Sequence, residues 1–182
     1  NRILRAWLAF RSGGGAESNR PGELTVHGVR FRFLDPELLY LPFAAIGKTY
    51  EPAVTLHLQS VIRPGLTFVD IGAEYGFYTA YVGSLEEGCS IYSFEPSPKC
   101  FTTLRENAKL SGDRAKLYRV ALSDSRGVIP FFGRSMKTDG GGEGESVDAI
   151  PFDELSERDG FRADVVKIDV HGSEGKVLAG MK

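Results

Sequence analysis

Four short apolar runs that lack polar alternation constrain this chain more than any other feature. They read LTFVDI at 66–71, CSIYSFE at 89–95, AKLYRVAL at 115–122 and ADVVKIDV at 163–170. A strand that alternates apolar and polar residues has one wet face, whereas a strand without alternation is covered on both. Helical patterns follow three of the runs: FYTAYVGSL at 77–85, SPKCFTTLRENAKLSG at 97–112 and SEGKVLAG at 173–180. In the second of these, Ser97 suits the N-cap, Pro98 the first helical position and Gly112 the stop. Strands covered on both faces and separated by helices imply a parallel sheet with right-handed crossovers.

The expected fold is therefore α/β, a doubly wound Rossmann-like parallel sheet. Upstream, NRILRAWLAF carries Arg2 and Arg5 between apolar residues. It lacks the long apolar centre and small-residue cleavage site of a signal peptide, so it reads as an N-terminal helix. SGGGAESNRPG at 12–22 reads as a linker, and LTVHGVRFRF at 24–33 as a β-hairpin turning at His27-Gly28. YEPAVTLHLQSVI at 50–62 places Val54, Leu58, Val61 and Ile62 at helical spacing, opened by Pro52 and closed by Pro64-Gly65. Two domains follow: residues 1–50 as an N-terminal helix, linker and hairpin, and residues 51–182 as the main domain. Between the third and fourth runs, GVIPFFG and SVDAIPFDEL read as added strands around RSMKTDGGGEGES, a Gly-rich loop without a phosphate-loop pattern. The chain begins at Asn and stops after the fourth strand and its helix, and the expectation is a sheet truncated after strand four.

Composition excludes several classes of function. Net charge is -2, which offers no global attraction to nucleic acid or anionic lipid. No apolar run reaches the ~18 residues that a membrane span needs. Cys89 and Cys100 are too few for a disulfide framework and read as reduced, packed thiols, which fits a cytoplasmic setting. His27 falls in a turn and His57 on a helix without a second ligand beside it, so no metal site is expected.

The chemistry concentrates where strands end. VDIGAEYG at 69–76 sets Asp70, Gly72 and Gly76 at the turn after the first run. In a doubly wound sheet ligands bind at the carboxyl ends of the strands, near the switch point. The glycines are expected to let backbone approach a ligand. The spacing is D-x-G-x-x-x-G rather than GxGxxG. A diphosphate wants N–H groups and a helix N-terminus, and an acid there would repel it. The same acid suits S-adenosyl-L-methionine, which carries an ammonium and a sulfonium. Glu95, ending the second run, can accept both hydroxyls of a ribose; its bland alternative is a helix-capping acid before Pro96. VALSD at 120–124 leaves the third run where an adenine would lie. In VVKIDVHGSE at 165–174, Lys167, Asp169 and His171 alternate and would share one face of a strand. Their bland alternative is a salt-bridged strand end.

Taken in order, YEP, PGLTFVDIGAEYGFYT, IYSFEPSPKCFTTLRENAKLSG, VALSDSRGVIPFF, VDAIPFDEL and DVVKIDVHGSEGKVLAGM resemble the FkbM-type methyltransferase family over roughly residues 40–181. The resemblance implies a class I methyltransferase fold, S-adenosyl-L-methionine as cofactor, and methylation of a hydroxyl on a sugar or natural product. It implies that Asp70, Gly72, Ala73 and Gly76 line the methionine part, with Glu51 and Thr55 covering it. Glu95 and Pro96 would hold the ribose, and Ala121, Leu122 and Ser123 the adenine. Asp169 would face the reaction centre; His171, read from its own chemistry rather than from the resemblance, joins it as a candidate catalytic base. Two positions depart from the family pattern: Glu74-Tyr75 stand where relatives carry Asn and a β-branched residue, and His171 stands where they carry Glu. Two alternatives remain open at this point: a SAM-binding module without turnover, and a nicotinamide-dependent oxidoreductase.

Overall fold

The computed structural model describes residues 22–33, 50–131 and 145–182. The expected N-terminal helix, nearly all of the 12–22 linker and most of the Gly-rich loop lie outside the described residues. Contacts divide the chain into two compact units, Asn1–Val61 and Ile62–Lys182.

In the N-terminal unit, strands β1 (Gly22–Val26) and β2 (Val29–Phe33) pair antiparallel, with Val26 opposite Val29. The turn residues His27 and Gly28 have φ of 48° and 81°. Two consecutive left-handed residues make the tight hairpin turn whose twist matches the flanking strands. Val29 and Phe31 are buried while Arg30 and Arg32 are exposed, as strand alternation requires. The expected hairpin is thus present, and His27 is a turn residue whose Nε2 accepts from the Tyr50 N–H at 3.0 Å. Helix α1 (Pro52–Val61) also forms as expected, with one difference: Val54 faces solvent and Thr55 is buried beside Leu58. His57 is exposed.

The second unit holds the α/β sheet. Strand β3 (Thr67–Ile71) leads to helix α2 (Phe77–Leu85), β4 (Ser90–Phe94) to α3 (Pro98–Ala108), and a 3-10 segment (Lys109–Arg114) to β5 (Ala115–Tyr118). After an excursion come helix α4 (Phe152–Asp159), β9 (Val165–Ile168) and α5 (Glu174–Ala179). The sheet order is β5-β4-β3-β9, all parallel. The central strands β3 and β4 are buried almost throughout, which is why their sequences do not alternate. Chain order runs outward from β3 in one direction and then returns to its other side with β9. The switch point therefore lies between β3 and β9, at their carboxyl ends.

The third apolar run is not one strand. It breaks after Tyr118, and β6 (Ala121–Leu122) turns away to pair parallel with β8 (Glu145–Ile150). Strand β7 (Gly127–Phe131) pairs antiparallel with β8, completing a separate three-stranded sheet. The run reads as continuous because the residues beyond the break are packed too, Val120 and Leu122 in the main core and Ala121 in the core of the second sheet.

Three elements meet on a buried polar knot. The Thr79 hydroxyl of α2 donates to Asp70 Oδ2 of β3 at 3.0 Å and lies 2.7 Å from Ser93 Oγ of β4. From α3 and its extension, Asn107 Nδ2 donates to the Tyr75 carbonyl at 2.7 Å, and the Ser111 hydroxyl to the Thr79 carbonyl at 3.0 Å. Helix α2 is buried on nearly every side, so it relies on such bonds to set its rotation.

Gly76 precedes α2 at φ 81°, and a Cβ there would meet Leu104 Cδ1 at 2.7 Å. Replacing Gly76 with Ala is expected to lower the unfolding free energy by about 3 kcal/mol, since left-handed strain and overpacking add. A drop in the urea midpoint followed by circular dichroism checks this, and an unchanged midpoint would mean that α2 stands away from α3 in solution.

Candidate active site

At the switch point the ends of β3, β4 and β9 surround a cleft. Gly72 and Glu74 supply one wall, Glu95 and Pro96 the next, and Asp169, Val170 and His171 the third. Cys100 of α3, Ala121 of β6 and Phe131 of β7 complete it, so the second sheet forms part of the lining.

The turn after β3 is held by main chain. The N–H groups of Gly72 and Ala73 both donate to the Phe94 carbonyl at 3.0 Å, binding the turn to the end of β4. Gly72 has φ 76°, and a Cβ on it would lie 2.0 Å from the Asp169 carbonyl oxygen. The glycines were expected to make room for a ligand. At Gly72 and Gly76 the space is instead filled by the protein's own strand end and helix, so these glycines serve packing.

Glu95 is 5% exposed and bridges two turns. Its Oε2 accepts from the Glu74 N–H at 3.0 Å, and its Oε1 accepts from the Ser97 N–H at 2.8 Å, beside the N-cap of α3. The capping role and the cleft position thus hold together. Burial pushes the Glu95 carboxyl up to about 7, against the pull of the two N–H donors. Glu74 adopts φ 50°, which turns its N–H towards Glu95.

The strand end after β9 differs from the expected register. The strand stops at Ile168, and His171 sits beyond it at φ 52°, followed by Gly172 at φ 93°. Strand alternation therefore does not place His171; the turn does. The carboxylate of Glu174 accepts from the N–H groups of Val170 and Gly172, each at 3.1 Å, and so grips His171 from both sides. The N–H of Glu174 itself, then those of Gly172 and Val170, hold the Glu174 carboxyl below its usual range. His171 Nδ1 lies 3.9 Å from Asp169 Oδ1, and the two side chains are 48% and 47% exposed. This pair sits at the open mouth of the cleft.

Of the residues singled out in the sequence, Gly72, Glu95, Pro96, Ala121, Asp169 and His171 line the cleft. Asp70 is 0% exposed and lies beneath it, its carboxyl pushed up by burial and drawn back by Lys167 and Thr79. Ala73 and Gly76 are turn residues behind the wall. Leu122 belongs to the core, and the Ser123 N–H donates to the Ile150 carbonyl at 3.1 Å. Glu51 and Thr55 belong to the N-terminal unit, where the Thr55 hydroxyl donates to the carbonyls of Glu51 and Pro52 at 3.2 Å. Sequence reasoning missed Glu74 and Val170, which lie in the turns already singled out, and Cys100 and Phe131, which come to the cleft only through tertiary packing. Lys167 is missed as a link: its Nζ donates to the Gly72 carbonyl at 3.2 Å, and no local pattern joins residues so far apart. Among the described residues no cluster of His, Cys, Asp and Glu suits a metal ion, and no helix is long and apolar enough to cross a membrane.

In carbonyl-detected NMR, the Glu95 carboxyl is expected to titrate with a midpoint near 7, well above the ordinary glutamate value of 4.5. A midpoint below 5 would show that the two N–H bonds outweigh burial.

Comparison with known proteins now bears on this cleft. A family profile described as Methyltransferase FkbM domain matches residues 70–182, well over half of the chain. The hexuronic acid methyltransferase AglP of Haloferax volcanii is 27% identical over 184 residues, covering 98% of this chain and 74% of that protein. The 31-O-demethyl-FK506 methyltransferase FkbM of Streptomyces tacrolimicus is 26% identical over 159 residues, covering 66% of this chain and 61% of that protein. Among solved structures, a SAM-dependent methyltransferase from Agrobacterium tumefaciens aligns with a TM-score of 0.48 at 16% identity, over 89% of this chain and 46% of that one. With a four-stranded parallel sheet and a family match that spans β4 through α5, the chain belongs to the FkbM methyltransferase domain family.

Proposed function

We propose that the chain binds S-adenosyl-L-methionine in this cleft and methylates a hydroxyl oxygen on a sugar or another small natural product. One observation carries the reading: the described residues that line the cleft include the acids Glu74, Glu95 and Asp169, and neither Lys nor Arg is among them. Such a set of acceptors suits a ligand with hydroxyls and positive charge, and it opposes a pyrophosphate. The residues present therefore fit this cofactor. The acceptor class follows the names of AglP and FkbM, which act on a hexuronic acid and on a natural product respectively.

When bound, the cofactor supplies a methyl group already activated on a sulfonium. What remains for the protein is alignment and a proton. Each carboxylate oxygen of Glu95 accepts one N–H and keeps a second lone pair, so it can still take a ribose hydroxyl. Glu74 and Asp169 would face the cationic part. His171, half-exposed at the mouth, would take the proton of the acceptor hydroxyl and release it to water, with Asp169 steering its Nδ1 side. The grip of Glu174 on the flanking N–H groups would hold that imidazole in place.

S-adenosylhomocysteine is expected to bind in calorimetry about tenfold more tightly at pH 8 than at pH 6. A ribose diol donates to the ionised form of Glu95, and that form is the minor one below about 7. Affinity that is flat across this range would overturn the assignment of Glu95 to a ribose, and a preference for NADH would overturn the cofactor. The change His171→Ala is expected to lower methyl transfer from labelled cofactor by about a hundredfold. Its affinity for S-adenosylhomocysteine should stay within about threefold of wild type. Equal turnover at saturating acceptor removes His171 from the proton path.

A further inference from the structure

Lys167 is the group in this region that the proposed chemistry leaves unused. It is 15% exposed, on β9, and its ammonium sits where three acceptors converge. It donates to the Gly72 carbonyl at 3.2 Å, stands 3.6 Å from Asp70 Oδ1 and 3.8 Å from Asp169 Oδ2. The face of Tyr78 lies 5.1 Å away on a fourth side. Gly72 and Asp169 line adjacent walls of the cleft, just beyond the neighbouring strands β3 and β9, whereas Asp70 is wholly buried.

We propose that Lys167 is a positioning residue that joins the two walls of the cleft through one ammonium, tying the Gly72 turn to the Asp169 strand end over the buried Asp70. The ammonium has three donor hydrogens to share among these acceptors. Neighbouring main-chain bonds set the turn against β4, through Phe94, and the Asp169 N–H against β3, through Ile71. Lys167 is the side chain that closes the triangle by bonding the turn from the β9 side. Its charge also offsets Asp70, so that Asp169 meets a ligand as the acid at the mouth while Asp70 stays ion-paired within the fold. The ligand consequence rests on the cofactor reading above; the positioning itself does not.

Two measurements on the full chain separate these. Hydrogen exchange of the ligand-free protein is the first. The change Lys167→Met is expected to speed exchange at the amides of 72–74 and 169–172 at least tenfold. Thr79→Val, which loosens Asp70 from the helix side, should lower thermal stability without this local effect. The second is calorimetry with S-adenosylhomocysteine, well below each variant's melting point. Lys167→Met should weaken binding at least tenfold, and Thr79→Val less than threefold. If Lys167→Met does not fold, the double change Asp70→Asn with Lys167→Met removes the buried charge along with its partner, and the same two readings apply to it. Unchanged exchange at both walls overturns the positioning role, whatever the ligand. Faster exchange with unchanged affinity refutes the ligand consequence alone. Wild-type protein that binds no S-adenosylhomocysteine refutes the cofactor reading and leaves the exchange result to decide the positioning role.

Discussion

A wholly buried carboxylate is the constraint around which this domain is arranged. Asp70 is the last residue but one of the central strand β3, with 0% exposure. Taking such a group out of water costs several kcal/mol unless charge and hydrogen bonds return. They return from every neighbouring element: the hydroxyl of Thr79 from α2, itself bonded to Ser93 of β4, and the ammonium of Lys167 from β9. A shift of any one of these elements would strand a charge. The polar knot therefore sets the height and rotation of α2 over the sheet more sharply than apolar contacts can, because Phe77 to Gly83 are buried without a preferred face.

Glu95 repeats the device one strand over, with a different outcome. Its partners are main-chain N–H groups at 2.8 and 3.0 Å. Asp70 is met by an ammonium, whereas burial leaves Glu95 near neutrality in its titration. One acid is ion-paired within the fold and turned inward. The other is held in place by the fold but left open to the cleft. That difference separates a structural carboxylate from one able to bind, and both occur at equivalent strand ends.

Much of the architecture was legible because its signals are local. Absent alternation marks strands covered on both faces, and Ser97-Pro98 marks a helix start that the structure confirms, with Ser97 Oγ accepting from the Cys100 N–H at 3.3 Å. The turn at His27-Gly28 was equally local. What escaped depends on distant pairing. The third run breaks after Tyr118 because β8, whose residues begin at Glu145, recruits Ala121 and Leu122 into another sheet. His171 leaves the strand register because Glu174 binds the amides on either side of it. The site was legible as a set of strand ends, but its linkages were not. Lys167 and Gly72 are joined by neighbouring parallel strands that are remote in sequence.

The glycines show why a motif can be right for the wrong physical reason. Their spacing after β3 suggested room for a ligand, yet a side chain at Gly72 would strike the Asp169 carbonyl, and one at Gly76 would strike Leu104. They are conditions for packing α2 and β9 tightly around the end of β3. That packing brings the ends of three parallel strands into one cleft, each contributing an acid: Glu74, Glu95 and Asp169. The ligand preference then lies in those acids and their protonation, while the glycines determine only that the acids meet. A substitution that restored a GxGxxG spacing here would leave the carboxylates in place, and a pyrophosphate would still face three negative groups at the switch point.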